Sequence, residues 1–162
     1  MLEAIKLVRA IAGLLTTAFV IWDRWARGRP LAWVTAKKMG VNPYKYIRIK
    51  NPGPADVLIL AVRTYPSKVY AIAKDHSTDA IFDAASFNVD VNVVLWQGEV
   101  CDLPIVEVSK PDQHRTADQP VRVVIYWRKT SSSWLRQAPV VIWTSTRDVE
   151  RIAKAAAADF NE

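Results

Sequence analysis

FNVDVNVVLW, residues 87–96, decides the fold. Phe87, Val89, Val91, Val93 and Leu95 fall on one side of a period-two pattern, and Asn88, Asp90 and Asn92 on the other. A strand with one apolar and one wet face belongs in an antiparallel sheet. Strands of parallel sheets are covered on both faces and read as unbroken apolar runs.

The same period recurs on either side. LAWVTA (31–36) sets Leu31, Trp33 and Thr35 on one side, with Trp33 in phase with core positions. YKYIRIK (44–50) sets Tyr46, Arg48 and Lys50 against Ile47 and Ile49. NPGP (51–54) then breaks the chain, since Pro and Gly together stop a strand. VLILAVR (57–63) is short and almost wholly apolar, the pattern of a strand covered on both sides. TYPS (64–67) turns the chain and KVYAIAK (68–74) follows. EVCDLPIVEVS (99–109) returns after the Gln97–Gly98 turn, with Pro104 marking an edge or a bend. KPDQHRTADQP (110–120) is a polar loop. VRVVIYWRK (121–129) places Val121, Val123, Ile125 and Trp127 on one face, and PVVIWTST (139–146) closes the series.

About eight short strands with turns between them and no intervening helix predict a mainly β protein, an antiparallel β-sandwich over 30–146. Thr146 is placed to cap a short C-terminal helix over 147–162. Residues 1–29 form a separate element. LEAIKLVRAIAGLLTTAFVIWDRWAR (2–27) has no Pro and is rich in helix formers, and Gly28 and Pro30 end it. Its small and polar residues share one stripe, and Leu15, Phe19, Trp22 and Trp25 lie on the broad apolar remainder.

A long amphipathic N-terminal helix of this kind has three uses. It can span a membrane, although only thirteen uncharged residues separate Arg9 from Asp23, fewer than the roughly 20 a bilayer core takes. Snorkelling cations and interfacial Trp22 and Trp25 would extend it. It can lie in the membrane surface, which suits its basic flanks. Or it can pack on protein, with Gly13 and Thr17 spaced for close helix approach. If it spans, Arg24, Arg27 and Arg29 outweigh Lys6 and Arg9, and the sandwich stays in the cytoplasm. The single cysteine, Cys101, agrees with a reducing compartment.

The net charge of +6 is densest at the N-terminus, where residues 1–29 carry five Lys/Arg against two acids. That balance suits anionic lipid or an acidic partner. Nucleic acid is disfavoured, since no Lys/Arg run has the density of a binding patch.

The run YIRIKNPGPADVLILAVRTYP resembles the opening hairpin of immunoglobulin-like or fibronectin-III-like sandwiches in small bacterial and prophage proteins, where an Asn-x-Gly turn joins strands of opposite sheets. The resemblance covers about residues 44–146. It lacks the paired cysteines of antibody domains, and Trp127 does not correspond to their buried Trp. It implies binding or scaffolding, not chemistry.

Candidate chemistry is thin. His76 stands with Asp75, Asp79 and Asp83 but in no metal-ligand spacing, and His114 sits in the polar loop. Ser131, Ser132 and Ser133 lack a nucleophile elbow. Cys101 has no basic neighbour and reads as an inert thiol. No phosphate or dinucleotide loop occurs, so no enzyme activity, cofactor or metal is expected. The surplus of Trp is more informative. Trp96, Trp134 and Trp143 fall at strand ends or in turns, and with Arg128 and Arg136 they form a candidate partner surface, since Trp and Arg dominate interface hot spots. The expectation is a non-catalytic accessory or scaffolding protein. It is anchored at a membrane or in a membrane complex through Leu15, Phe19, Trp22, Trp25, Arg24 and Arg27, and the sandwich meets a protein partner. The alternative is a soluble, self-assembling structural protein such as a phage component.

Overall fold

The computed structural model describes residues 13–17, 28–39, 42–67, 69–86, 90–108, 118–131 and 137–158. Eight strands form two antiparallel four-stranded sheets, an arrangement compatible with a β-sandwich. Sheet I holds β1 (Leu31–Met39), β2 (Asn42–Lys50), β6 (Val100–Glu107) and β4 (Tyr70–Ile72), in that order. Sheet II holds β5 (Asp90–Leu95), β3 (Val57–Tyr65), β7 (Pro120–Lys129) and β8 (Val140–Ser145). Ile47, Ile49 and Leu103 from sheet I meet Ile59, Leu95, Val123 and Ile125 from sheet II in one core cluster. Each such side chain contributes about 2 kcal/mol on burial.

The strand that decides the class behaves as its alternation requires: Val91 and Leu95 are buried, and Asp90 and Asn92 are exposed. Phe87–Val89 lie outside the described residues. VLILAVR departs from its reading. It is not covered on both sides, because Leu58 and Leu60 on its outer side are only half-buried. A bulge between Ile59 and Ala61 shifts its register against both β5 and β7. Inward positions therefore change phase, from Val57 and Ile59 to Val62 and Thr64. An extra residue flips the alternation, and two apolar half-patterns of opposite phase look like one continuous run.

Three further readings are corrected. A helix, α1 (Thr78–Ala85), does intervene between β4 and β5. Ser77 caps it by accepting from Ala80 N, and Ala84 packs against Ala71 and Ala73. Pro104 is not at an edge. It is buried in β6, which pairs with β2 up to Pro104 and with β4 from Ile105 onward. The missing N–H falls at that change of partner, and the Pro104 carbonyl accepts from Ala73 N at 2.9 Å. Trp33 points away from the core and is 39% exposed, while its small neighbours Ala32 and Val34 pack inward.

The C-terminal helix, α2, runs from Thr146 to Ala158 within the described chain. Its capping side chain is Ser145, one residue earlier than the sequence suggests. Ser145 Oγ accepts from Asp148 N at 3.1 Å and donates to the Asp148 carboxylate at 3.0 Å. Val149 and Ala153 are buried, and α2 packs along β1, β2 and β8, closing that side between the sheets. Of the predicted N-terminal helix, Gly13–Thr17 are helical, with Leu14 and Leu15 strongly exposed. A long helix is not shown, and Phe19, Trp22, Arg24, Trp25 and Arg27 lie outside the described residues. Among the described residues no helix is long and apolar enough to cross a membrane. Gly28 and Pro30 are buried, and Arg29 Nη2 donates to the Pro139 carbonyl at 2.6 Å, so the folded β region begins at Gly28.

The chain crosses from sheet I to sheet II at Asn51, which is fully buried. Its backbone N–H donates to Glu99 O at 3.0 Å and its carbonyl accepts from Gly98 N at 2.8 Å. Its side-chain amide donates to Ala55 O at 2.9 Å and Leu95 O at 3.0 Å, and its Oδ1 accepts from Gly53 N at 3.0 Å. Gly98, at φ +77, makes the tight turn that faces it. Asn51→Ala leaves the buried Leu95 carbonyl, the part-buried Ala55 carbonyl and the Gly53 amide short of a partner. It should destabilise the fold by about 3 kcal/mol in urea unfolding, whereas Lys50→Ala, one residue away and exposed, should change little.

Candidate functional site

Among the described residues, the outer faces of the two sheets expose Trp33, Tyr44, Tyr65, Tyr126 and Trp143, and the faces differ in charge. On sheet I, cross-strand register sets Trp33 beside Arg48 and Arg48 beside Asp102. Arg48 grips Asp102 with two hydrogen bonds, Nε to Oδ1 at 2.6 Å and Nη2 to Oδ2 at 2.9 Å. Lys37 Nζ adds a contact to Oδ2 at 2.5 Å. The Arg48 hydrogen bond, with help from Lys37, holds the Asp102 carboxyl down to about 2, while the same bond raises Arg48. Lys45 is likewise paired, with Glu107 at 2.6 Å.

One row along, Tyr46 lies between Thr35 and Pro104 and is almost fully buried. Its hydroxyl and His76 Nε2 are 2.9 Å apart. The His76 ring stands edge-on to Tyr44 and Tyr46, with centroids 5.0 and 5.4 Å away. Burial raises the Tyr46 hydroxyl above its ordinary value. His76 thus pins the loop before α1 to sheet I. No group of metal-ligating side chains occurs among the described residues, and Asp75 is turned onto Ser77 N at 2.8 Å. Around this network Leu31, Trp33, Tyr44 and Val100 remain open to solvent.

On sheet II, Tyr65, Arg122 and Trp143 form one cross-strand row. The Arg122 guanidinium carbon lies 4.8 Å from the Tyr65 ring centre and 5.8 Å from that of Trp143. The next rows outward hold Arg63, Val124 and Val141, then Tyr126, then Leu58 and Arg128. Trp143 is 70% exposed, and Tyr65, Tyr126 and Val141 are each open to about two fifths. Neither Arg63 nor Arg122 has an ion-pair partner among the described residues.

The structure brings Trp143 and Arg128 to this one face, at opposite ends, and Trp143 sits within β8 rather than at a strand end. Trp96 is exposed just past β5, with its N–H held by Glu99 Oε2 at 2.8 Å. Trp134, Arg136, His114, Ser132 and Ser133 lie outside the described residues. Trp127 is core, its ring N–H bonded to Ala138 O at 3.0 Å. Cys101 packs against the core, and burial pushes its thiol upward, which keeps it protonated. Sequence reasoning missed Arg122, Tyr65 and Tyr126, and for Tyr126 and Arg122 the signal was available: both occupy the phase opposite Val121, Val123, Ile125 and Trp127.

Because Asp102 is depressed from its ordinary 3.8 to about 2, the stability it contributes is complete above the ordinary value and is lost as pH falls toward the depressed one. Solvent screening reduces that contribution to about 1 kcal/mol, so between pH about 5 and about 2 the wild type should lose that much more stability than Asp102→Asn in acid-denaturation curves. The chain matches no known family model and no curated protein.

Proposed function

We propose that the protein is a non-catalytic accessory or scaffolding component, attached to a membrane or membrane complex by its N-terminal segment, with an immunoglobulin-like sandwich that engages a protein partner. Support for the immunoglobulin-like reading comes from strand order. Sheet I, β1-β2-β6-β4, corresponds to the A-B-E-D sheet of such domains, and sheet II, β5-β3-β7-β8, to an extended C-F-G sheet. One departure is that β4 precedes β5 in the chain.

The observation that carries the binding function is the surface of sheet I around Arg48. Arg48 and Lys37 are already paired with Asp102, so a partner docking over them desolvates little unpaired charge, and Lys50 at the edge is left for an acidic group. Trp33, Tyr44, Leu31 and Val100 supply the exposed aromatic and aliphatic anchors that protein interfaces favour. Attachment through the N-terminal segment is supported by its basic, apolar sequence and by the exposure of Leu14 and Leu15. The charge after the segment favours a cytoplasmic sandwich.

The self-assembling alternative draws on the same stretch: nothing lies within 4 Å of where a Cβ on Gly13 would sit, which leaves that helix surface open to a second copy. Fractionation separates the two. Full-length protein should sediment with membranes, and a chain starting at Gly28 should be folded and soluble. Recovery of the full chain as a soluble oligomer of defined size would favour assembly instead.

A further inference from the structure

We infer that the outer face of sheet II rests on an anionic lipid surface, its arginines among the headgroups and its aromatic rings at the interfacial level. The inference rests on the membrane attachment proposed above and assigns the second face of the sandwich.

Charge is the first reason. Arg63, Arg122 and Arg128 share this face, and the first two have no ion-pair partner among the described residues. Among the described strand residues of sheet II the one acid is Asp90, in the row of Ala61 and Tyr126. Glu99 is folded back on Trp96 N. Sheet I, by contrast, pairs Arg48, Lys37 and Lys45 internally. The two faces therefore differ in charge: sheet I leaves Lys50 exposed between Leu31 and Val100, whereas sheet II presents Arg63 and Arg122 in adjacent rows with no ion-pair partner among the described residues.

Ring chemistry is the second. Trp143, Tyr65 and Tyr126 have apolar bodies and polar tips, the combination that settles at a membrane interface. Val141 and Val94, both about two fifths exposed, add aliphatic surface between them.

Position is the third. The N-terminal segment joins the domain through Arg29, bonded to Pro139 O at the start of β8, and β8 is the edge strand of sheet II. The chain enters β1 at Leu31 beside this bond, so a segment held at a membrane brings the edge strands of both sheets, β8 among them, close to it. Other occupants fit worse. A second copy placed face to face would set arginines against arginines, and the chain's own N-terminal segment carries a surplus of three positive charges.

The test uses the full-length protein with vesicles of phosphatidylcholine alone or of phosphatidylcholine and phosphatidylserine in a two-to-one mixture, each with some brominated phosphatidylcholine. Trp143→Phe isolates the emission of that one ring, and circular dichroism confirms its fold. On the phosphatidylserine vesicles the Trp143 emission should shift to the blue and be quenched, and on phosphatidylcholine alone it should not. Replacing Arg63, Arg122 and Arg128 by Gln should lower the phosphatidylserine-dependent partition by about fivefold per residue. Protein that sediments with both vesicles while Trp143 stays water-like and unquenched overturns the inference but leaves attachment standing, and gives the face to an acidic protein. Protein that sediments with neither overturns the inference together with the attachment on which it rests.

Discussion

A chain that leaves one sheet to start another must cross the core, and there its backbone groups lose their strand partners. Asn51 resolves this at the crossing between β2 and β3. It is wholly buried and makes five hydrogen bonds, to the loop leading into β3, the end of β5 and the turn into β6. An amide side chain is suited to the place, since it both donates and accepts without bringing charge into the interior. Because β5 belongs to sheet II and β6 to sheet I, these bonds fix the separation and offset of the sheets at this end. The registers that follow determine which residues face outward, so both outer faces depend on this one satisfied amide.

At the other end the sheets are tied by different means. Thr64 on β3, buried, donates its hydroxyl to the carbonyl of Tyr70 on β4. Within sheet II, Thr146 at the head of α2 exchanges bonds with Gln119 and extends the β7–β8 ladder to the helix that packs on β1 and β2. With α2 filling the side beside β1 and β8, the inner faces are held at several points. The main core cluster lies between the inner faces, and exposed positions remain on the outer ones. Trp and Tyr occupy several of them.

Much of this was legible in the sequence where alternation was strict. The stretch around Val91 and Leu95, and the phase of Val121, Val123, Ile125 and Trp127, gave strand type and core side directly. It failed where a local rule hid the period. In β3 the bulge at Leu60 joined two phases into one apolar run. In β1 side-chain size misled, because Trp33 is larger than Ala32 and Val34 yet lies outside. Helix α1 was masked by its polar residues, although Ser77 and the spacing of Ala80, Ile81 and Ala84 carried a capped amphipathic turn. The row of Tyr65, Arg122 and Trp143 could not be read at all, since it requires the pairing of three strands distant in the chain.

Two of the outer arginines, Arg48 and Arg122, show why the faces differ in charge. Arg48 is locked to a carboxylate by two parallel bonds, and its fork is spent on Asp102. Arg122 is held instead by aromatic rings, which attract its charge without occupying its N–H donors. A guanidinium positioned by rings keeps hydrogen-bonding capacity for an incoming anion and is already ordered, so less side-chain entropy is lost on binding. The same residue type is therefore spent in a pair on one face and left open on the other. The difference lies in what stands opposite on the neighbouring strand: Asp102 for Arg48, and Tyr65 and Trp143 for Arg122.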